Sequence, residues 1–229
     1  MYQERPSRIP GAVLWSRSAD ERRGRTTRVL PDGCMDLIWL GDAGLVVAGP
    51  DTQAHVVPGP AGAYVGLRFA PGWGPAVFGI PASELRDRRE PLAVVDGAPD
   101  ARALAERIAE APDRAAVLEA FAARRLRGGS PDPVAAAVVR RLRGGVGVAE
   151  LARDLGLSDR QLHRRSVAAF GYGPKVLARV LRLRRALDLA YAGNPFADVA
   201  AVAGYADQAH LSREVRALAG LSLSELVGV

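Results

Sequence analysis

Along the last hundred residues, apolar positions recur with helical spacing, and the same arrangement occurs twice about 48 positions apart. In the first copy Val148, Leu151, Ala152 and Leu155 fall at i, i+3, i+4 and i+7. Gly156 interrupts the pattern, and a second amphipathic segment turns Leu162 and Phe170 inward. The second copy, Phe196 to Gly220, repeats the landmarks. Leu151 corresponds to Val199, Ala152 to Ala200, Gly156 to Gly204, Leu162 to Leu211, Arg164 to Arg213 and Gly171 to Gly220. Its core side is Leu211, Val215 and Leu218. The offset grows from 48 to 49 across the turn, an insertion that a loop absorbs. Glycine suits each turn because a tight connection between helices uses positive φ. Ser158 and Gln161 form an S-x-x-Q capping box that starts the second helix of the first copy. Between the copies, Pro174 to Ala192 is Leu- and Val-rich and opens on Pro, which predicts one long helix.

The first 95 or so residues follow a different rhythm. Short apolar runs (GAVLW, RVLPDGCMDLIWL, GLVVAG, HVVPG, AYVGLRFAPG) are broken by Gly, Pro and Asp, which predicts an antiparallel β domain, a barrel or a sandwich. Asp100 to Ala111 and Asp113 to Leu126 predict two helices that pack on that domain or on another subunit. Arg127 to Pro133 (RGGSPDP) opposes both helix and strand and is the expected hinge. The expected fold class is therefore α+β: a β-rich domain over 1–96, a helical connector over 97–130 and an all-α domain over 131–229.

Charge sharpens the contrast between the halves. Residues 132–229 hold 14 of the 31 basic and 9 of the 25 acidic residues, a net +5, whereas residues 1–131 are close to neutral. Nearly all of the chain's +6 sits on the repeated helical segment, as a phosphate-binding module requires. All but one of the basic residues are Arg, but the chain is also Ala- and Gly-rich, and GC-rich coding accounts for that bias. The exposed faces of the second helices carry Arg160, His163 and Arg164 in the first copy and Gln208, His210, Ser212 and Arg213 in the second. These side chains suit base edges or phosphates in a major groove. Two such helices on one rigid spacer suit successive groove segments, about 34 Å apart.

The segment from about Asp132 to Val229 resembles the DNA-binding module of the AraC/XylS family of transcription regulators. The resemblance is carried by LARDLGLSDRQLHRR, by the R-x-x-x-A-L-x-L-A ending at Arg182 to Ala190, and by GYADQAHLSREVRALAGLSLSEL from Gly204 to Leu226. It implies base contacts at Arg160, His163, Arg164, Gln208, His210, Ser212 and Arg213. The chain departs from the family at Ser166, where a large apolar residue is usual, and at Val215, where Phe is usual. Both positions face the core, and a buried Ser166 hydroxyl needs a partner, for instance a carbonyl one turn back. VLPDGCMDLIWL, LRFAPG and IPASELRDRREPL resemble the N-terminal domain of a poorly characterised group within the family. The family's N-terminal domain implies a cupin-like β-barrel that binds an effector or mediates dimerisation.

Other chemistry is thinly represented. His163 and His210 lie on different repeats without a Cys or carboxylate to complete a metal site, so no metal or other cofactor is expected. A cupin enzyme needs several His ligands, and the β half has only His55. A DNA-repair or cupin activity in the β domain, and a ligand-free assembly role, stand as the alternatives to effector sensing. The lone Cys34 excludes an internal disulfide and reads as a small core residue. Trp15, Trp39, Trp73, Tyr64 and Arg68 are candidates to line an effector pocket, although each Trp fits core filling as well. Arg86 to Arg89 reads as a solvated face. No apolar run is long enough to span a membrane and no signal peptide is visible, so a cytoplasmic location is expected. The expected partners are promoter DNA, a small-molecule effector, and, as further candidates, RNA polymerase and a second copy of the chain.

Overall fold

A computed structural model describes residues 2–18, 26–57, 62–96 and 100–228. Among them are eight strands: β1 (Tyr2–Pro6), β2 (Ala12–Arg17), β3 (Thr27–Val29), β4 (Met35–Trp39), β5 (Leu45–Ala48), β6 (His55–Val57), β7 (Tyr64–Phe69) and β8 (Arg89–Pro91). Six form one antiparallel sheet in the order β1-β2-β7-β4-β5-β8, and β3 pairs with β6 in a separate two-stranded ribbon. The expected antiparallel β domain is thus present. Alternation dictates its inner face: Leu14 faces Leu67, Leu67 faces Leu37 and Leu37 faces Val47, an apolar row across four strands with all members almost fully buried. The run RVLPDGCMDLIWL does not form one strand. Pro31 and Gly33, the latter at φ 79°, break it between β3 and β4, and the Asp32 carboxylate accepts the Cys34 N–H at 2.8 Å.

Two short helices, α1 (Gly74–Phe78) and α2 (Leu92–Asp96), border the sheet. The two helices predicted after it are α3 (Ala101–Glu110) and α4 (Arg114–Leu126). Leu104, Ile108, Leu118, Phe121 and Ala122 join the same core as the strands, so this pair packs on the β domain. An exposed stretch leads on to α5 (Pro133–Arg143), which Asp132 caps by accepting the Val134 N–H.

The repeated pattern forms α6 (Val148–Asp154) with α7 (Asp159–Phe170), and α9 (Phe196–Ala203) with α10 (Gln208–Ala219), followed by α11 (Leu223–Val227). Between them runs α8 (Pro174–Tyr191), the predicted long helix. It serves two cores. Leu177, Val180 and Leu181 pack with α5, α6 and α7, while Leu183, Ala186, Leu187 and Ala190 pack with α9, α10 and α11. No helix among the described residues is long and apolar enough to cross a membrane.

Candidate nucleic-acid interface

Capping determines where the second helix of each helix-turn-helix unit begins. The Ser158 hydroxyl accepts the Gln161 N–H at 3.3 Å, and the Gln161 amide oxygen accepts the Ser158 N–H at 2.9 Å, completing the predicted box. In α10 the cap is Asp207, whose carboxylate accepts the His210 N–H at 2.6 Å. Leu162, Ser166 and Phe170 of α7, and Leu211, Val215 and Leu218 of α10, face the cores. Arg160, His163 and Arg164 are exposed on the first two turns of α7, and Gln208, Ser212 and Arg213 are exposed at equivalent places on α10. Ser166 is buried as expected, but its hydroxyl has no partner among the described residues.

The candidates differ in freedom. Arg160, Arg164, Gln208 and Arg213 make no side-chain hydrogen bond or ion pair among the described residues and can turn to a ligand. His163 rests on the backbone at Gly173, where a Cβ would come within 2.9 Å of its ring. His210 is half-buried: its Nδ1 accepts the Ala206 N–H at 3.3 Å, and its ring meets Tyr205 edge-on at 5.2 Å. That bond leaves the proton of a neutral His210 on Nε2, which is then a donor only. The Ser212 hydroxyl donates to the Gln208 carbonyl at 2.9 Å, one turn back.

One stabilising group escaped the sequence reading. Glu214 of α10 takes Arg179 of α8 in a two-pronged pair, Nε to Oε2 at 2.9 Å and Nη2 to Oε1 at 3.0 Å. The hydrogen bonds from Arg179 hold the Glu214 carboxyl below its usual range. Arg182 stacks over Tyr205 at 4.7 Å on the same joint. Both contacts join positions 23 or more apart in the chain, and no local pattern announces them.

The β domain presents a second cluster. Arg68 and Asp36 lie directly opposite each other on β7 and β4, with Nε 3.3 Å from Oδ1, and Asp32 and Glu4 lie within reach of the same guanidinium. Trp15, lying over Gly66, donates its indole N–H to Asp36 at 2.6 Å. Burial pushes the Asp36 carboxyl up to about 6 although Arg68 and Trp15 pull the other way. Burial also works against the Arg68 charge, but Asp36 and Asp32 outweigh it and hold the guanidinium more firmly protonated. Both shifts are upward, which disfavours the charge on Asp36, whose carboxyl loses more hydration than its partners restore, and favours the charge on Arg68. Cys34 does not sit in a strand as expected; it precedes β4 and keeps part of its surface open. Burial and the neighbouring Asp32 and Asp36 push its thiol up, so it is a poor nucleophile.

Of the five candidate pocket residues, Trp15 and Arg68 meet at Asp36, and Trp39 and Trp73 lie elsewhere. Arg68, with Asp32 and Cys34, lines a cavity of about 620 Å³ whose other wall is α8 and the α5–α6 turn. Trp39 is core, with Arg114 stacked on it at 4.6 Å, and Trp73 covers Gly11. The stretch Arg86 to Arg89 is exposed only in part. Arg86 donates to the Gly171 carbonyl, Arg88 pairs with Glu90, and Arg89 forms a double ion pair with Asp51.

Two helix-turn-helix units on a shared helix are joined to an antiparallel β domain, a two-domain arrangement in which the helical half has the form of a DNA-binding module. Residues 151–227 match the family described as a helix-turn-helix domain, and residues 12–91 match a domain of unknown function (DUF6597). No curated protein matches. Among solved structures, a ToxT variant from Vibrio cholerae is 10% identical, with 96% of this chain and 98% of that chain covered and a TM-score of 0.51. ToxT bound to (E)-4-(8-methylnaphthalen-1-yl)but-3-enoic acid is 9% identical, with 99% and 98% covered and a TM-score of 0.50. A probable AraC family transcriptional regulator from Rhodopseudomonas palustris is 21% identical over 42% of this chain and 96% of that chain, with a TM-score of 0.38. Residues 151–227 are thus a helix-turn-helix domain by family match, and the chain as a whole shares the two-domain fold of the ToxT structure.

Proposed function

We propose that the chain is a cytoplasmic one-component regulator in which α7 and α10 read adjacent major-groove segments through Arg160, Arg164, Gln208 and Arg213, with His163, His210 and Ser212 as secondary contacts. The observation that carries this reading is the matched placement of uncommitted, exposed donors on two capped helices that share one spacer. His210 and Ser212 are secondary because each already holds part of its own helix end. The proposed DNA-reading unit begins near residue 131 and holds two cores, while the helical connector shares one core with the strands of the proposed sensing domain. Selection from random duplex DNA with the full chain tests the reading. A motif of two half-elements about one helical turn apart is expected, and no enrichment would overturn it.

We further infer that the cavity between the β domain and α8 is the effector site and that its ligand is a small organic anion. Arg143, Arg184 and Arg185 face it from the helical side and form no ion pair among the described residues, and with Arg68 and Arg182 they outnumber Asp32 and Asp188 of the same lining, so the cavity carries a positive excess. The ToxT structure named above holds a carboxylic acid, which agrees with an acidic ligand class. A ligand that prefers one arrangement of the two walls shifts the population able to engage DNA.

A further inference from the structure

The last turns of both DNA-reading helices are tied to one short piece of the β domain. Pro50 sits against the end of α7 so closely that a Cβ at Gly171 would come within 2.7 Å of Pro50 Cγ. Four residues later the Ala54 N–H donates to the Leu218 carbonyl of α10 at 2.7 Å. The intervening chain spans at most about 14 Å even when extended. Two arginines reinforce the same two helix ends: Arg86 donates to the Gly171 carbonyl at 3.3 Å and Arg28 to the Ala219 carbonyl at 3.1 Å. A cation at the carbonyl end of a helix also complements its dipole.

This segment is itself held on every side. Asp51 is buried in its double ion pair with Arg89. The Thr52 N–H donates to the Asp87 carboxylate at 2.7 Å, and the Thr52 hydroxyl donates to it at 2.9 Å. The Asp87 N–H returns a bond to the Pro50 carbonyl at 3.1 Å, and the Gly49 N–H donates to the Arg88 carbonyl at 3.0 Å. Asp87 adopts φ 59°, the single non-glycine residue with positive φ among those described. A side chain held there costs free energy that its bonds to Thr52 offset.

We propose that Pro50–Ala54 is a strut, locked by Asp87 and the Asp51–Arg89 pair, that fixes the separation of α7 and α10 and so sets which half-element spacing the protein accepts. Asp87, Arg28 and Arg86 are positioning residues; the proposed reading side chains lie in the first two turns of the helices, away from these ties. The DNA consequence rests on the regulator reading, whereas the strut itself does not. The first measurement therefore needs no DNA: electron spin–spin distances between nitroxides at the exposed positions 168 and 217 of the full chain in a Cys34→Ala background. A single narrow distribution is expected. It broadens in Asp87→Gly and in Arg86→Ala, and returns to narrow in Asp87→Asn, which tolerates positive φ and keeps an acceptor for Thr52. Broadening in either variant supports the strut. Retention of the narrow peak in both, or a broad distribution in the parent, overturns it. Should Asp87→Gly fail to fold, Arg86→Ala decides alone.

The second measurement is affinity for duplexes carrying the selected half-elements at matched spacing and with half a helical turn added. The parent is expected to discriminate by about 100-fold, and Asp87→Gly to lose at least about tenfold of that while binding a single half-element unchanged. Undiminished discrimination in Asp87→Gly counts against the proposal. If the parent selects no sequence at all, the regulator reading fails and the distances still settle the strut.

Discussion

Arg164 and Arg213 occupy matched positions in the two repeats, both exposed and both without a protein partner among the described residues. Replacing either with Ala should weaken binding to the selected site by about 1 to 3 kcal/mol if it reads a base. An equal loss on random DNA, with the salt slope reduced by about 1, would make that Arg a phosphate contact. Asp36 supports a prediction of another kind. Its folded carboxyl titrates near 6, above the unfolded value of about 3.9, so it favours the folded state while protonated. That contribution is complete below about pH 4 and is lost as pH rises past 6. Compared with Asp36→Asn, which stays neutral and still accepts from Trp15, the parent should lose thermal stability steadily between those limits. Melting temperatures that track each other from pH 4 to 7 would show that Asp36 ionises normally. Single residues were legible where local rules govern them, as at the Ser158 box. They were not legible at Asp36 and Arg68, whose pairing is a matter of strand register between positions 32 apart.

The helices were legible because each obeys a local period and a local cap. The second reading helix was legible as an element although its cap is Asp207. The strands were less so: β3 and β4 share one apolar run, and only the turn chemistry of Pro31, Asp32 and Gly33 assigns them to different sheets. Because α8 feeds two separate cores, damage to one unit should stay there. Leu211→Ala removes a fully buried side chain from the second core and should cost about 2 to 5 kcal/mol. Hydrogen exchange is expected to rise in α9, α10 and α11 while α5, α6 and α7 keep their protection. Uniform loss across both units would mean that the cores unfold together.

At the scale of the whole chain, the two-domain order was readable from the change in rhythm near residue 100, but the joint between the domains was not. Its ties run from Ala54, Arg28 and Arg86 to backbone carbonyls, and a carbonyl leaves no trace in residue type. The cavity beside α8 supports a prediction at this scale. Small aromatic or aliphatic carboxylates should raise the melting temperature of the full chain, with about 2.7 kcal/mol gained at 100 times the dissociation constant. Replacing Arg184 and Arg185 together with Gln should abolish the shift without lowering the melting temperature of the ligand-free protein. A screen in which neutral compounds stabilise and anions do not would refute the assignment. The joint also gives α8 a consequence in mechanical terms. The 18-residue helix and the segment from Pro50 to Ala54 are two spacers in parallel between the same pair of units, as in a truss. Seven residues added at the middle of α8 would nearly restore the helical phase and lengthen it by about 10.5 Å. The shorter member cannot stretch to follow, so such a chain must detach one unit from the β domain. Wider target spacings are therefore reachable only when both members lengthen in step.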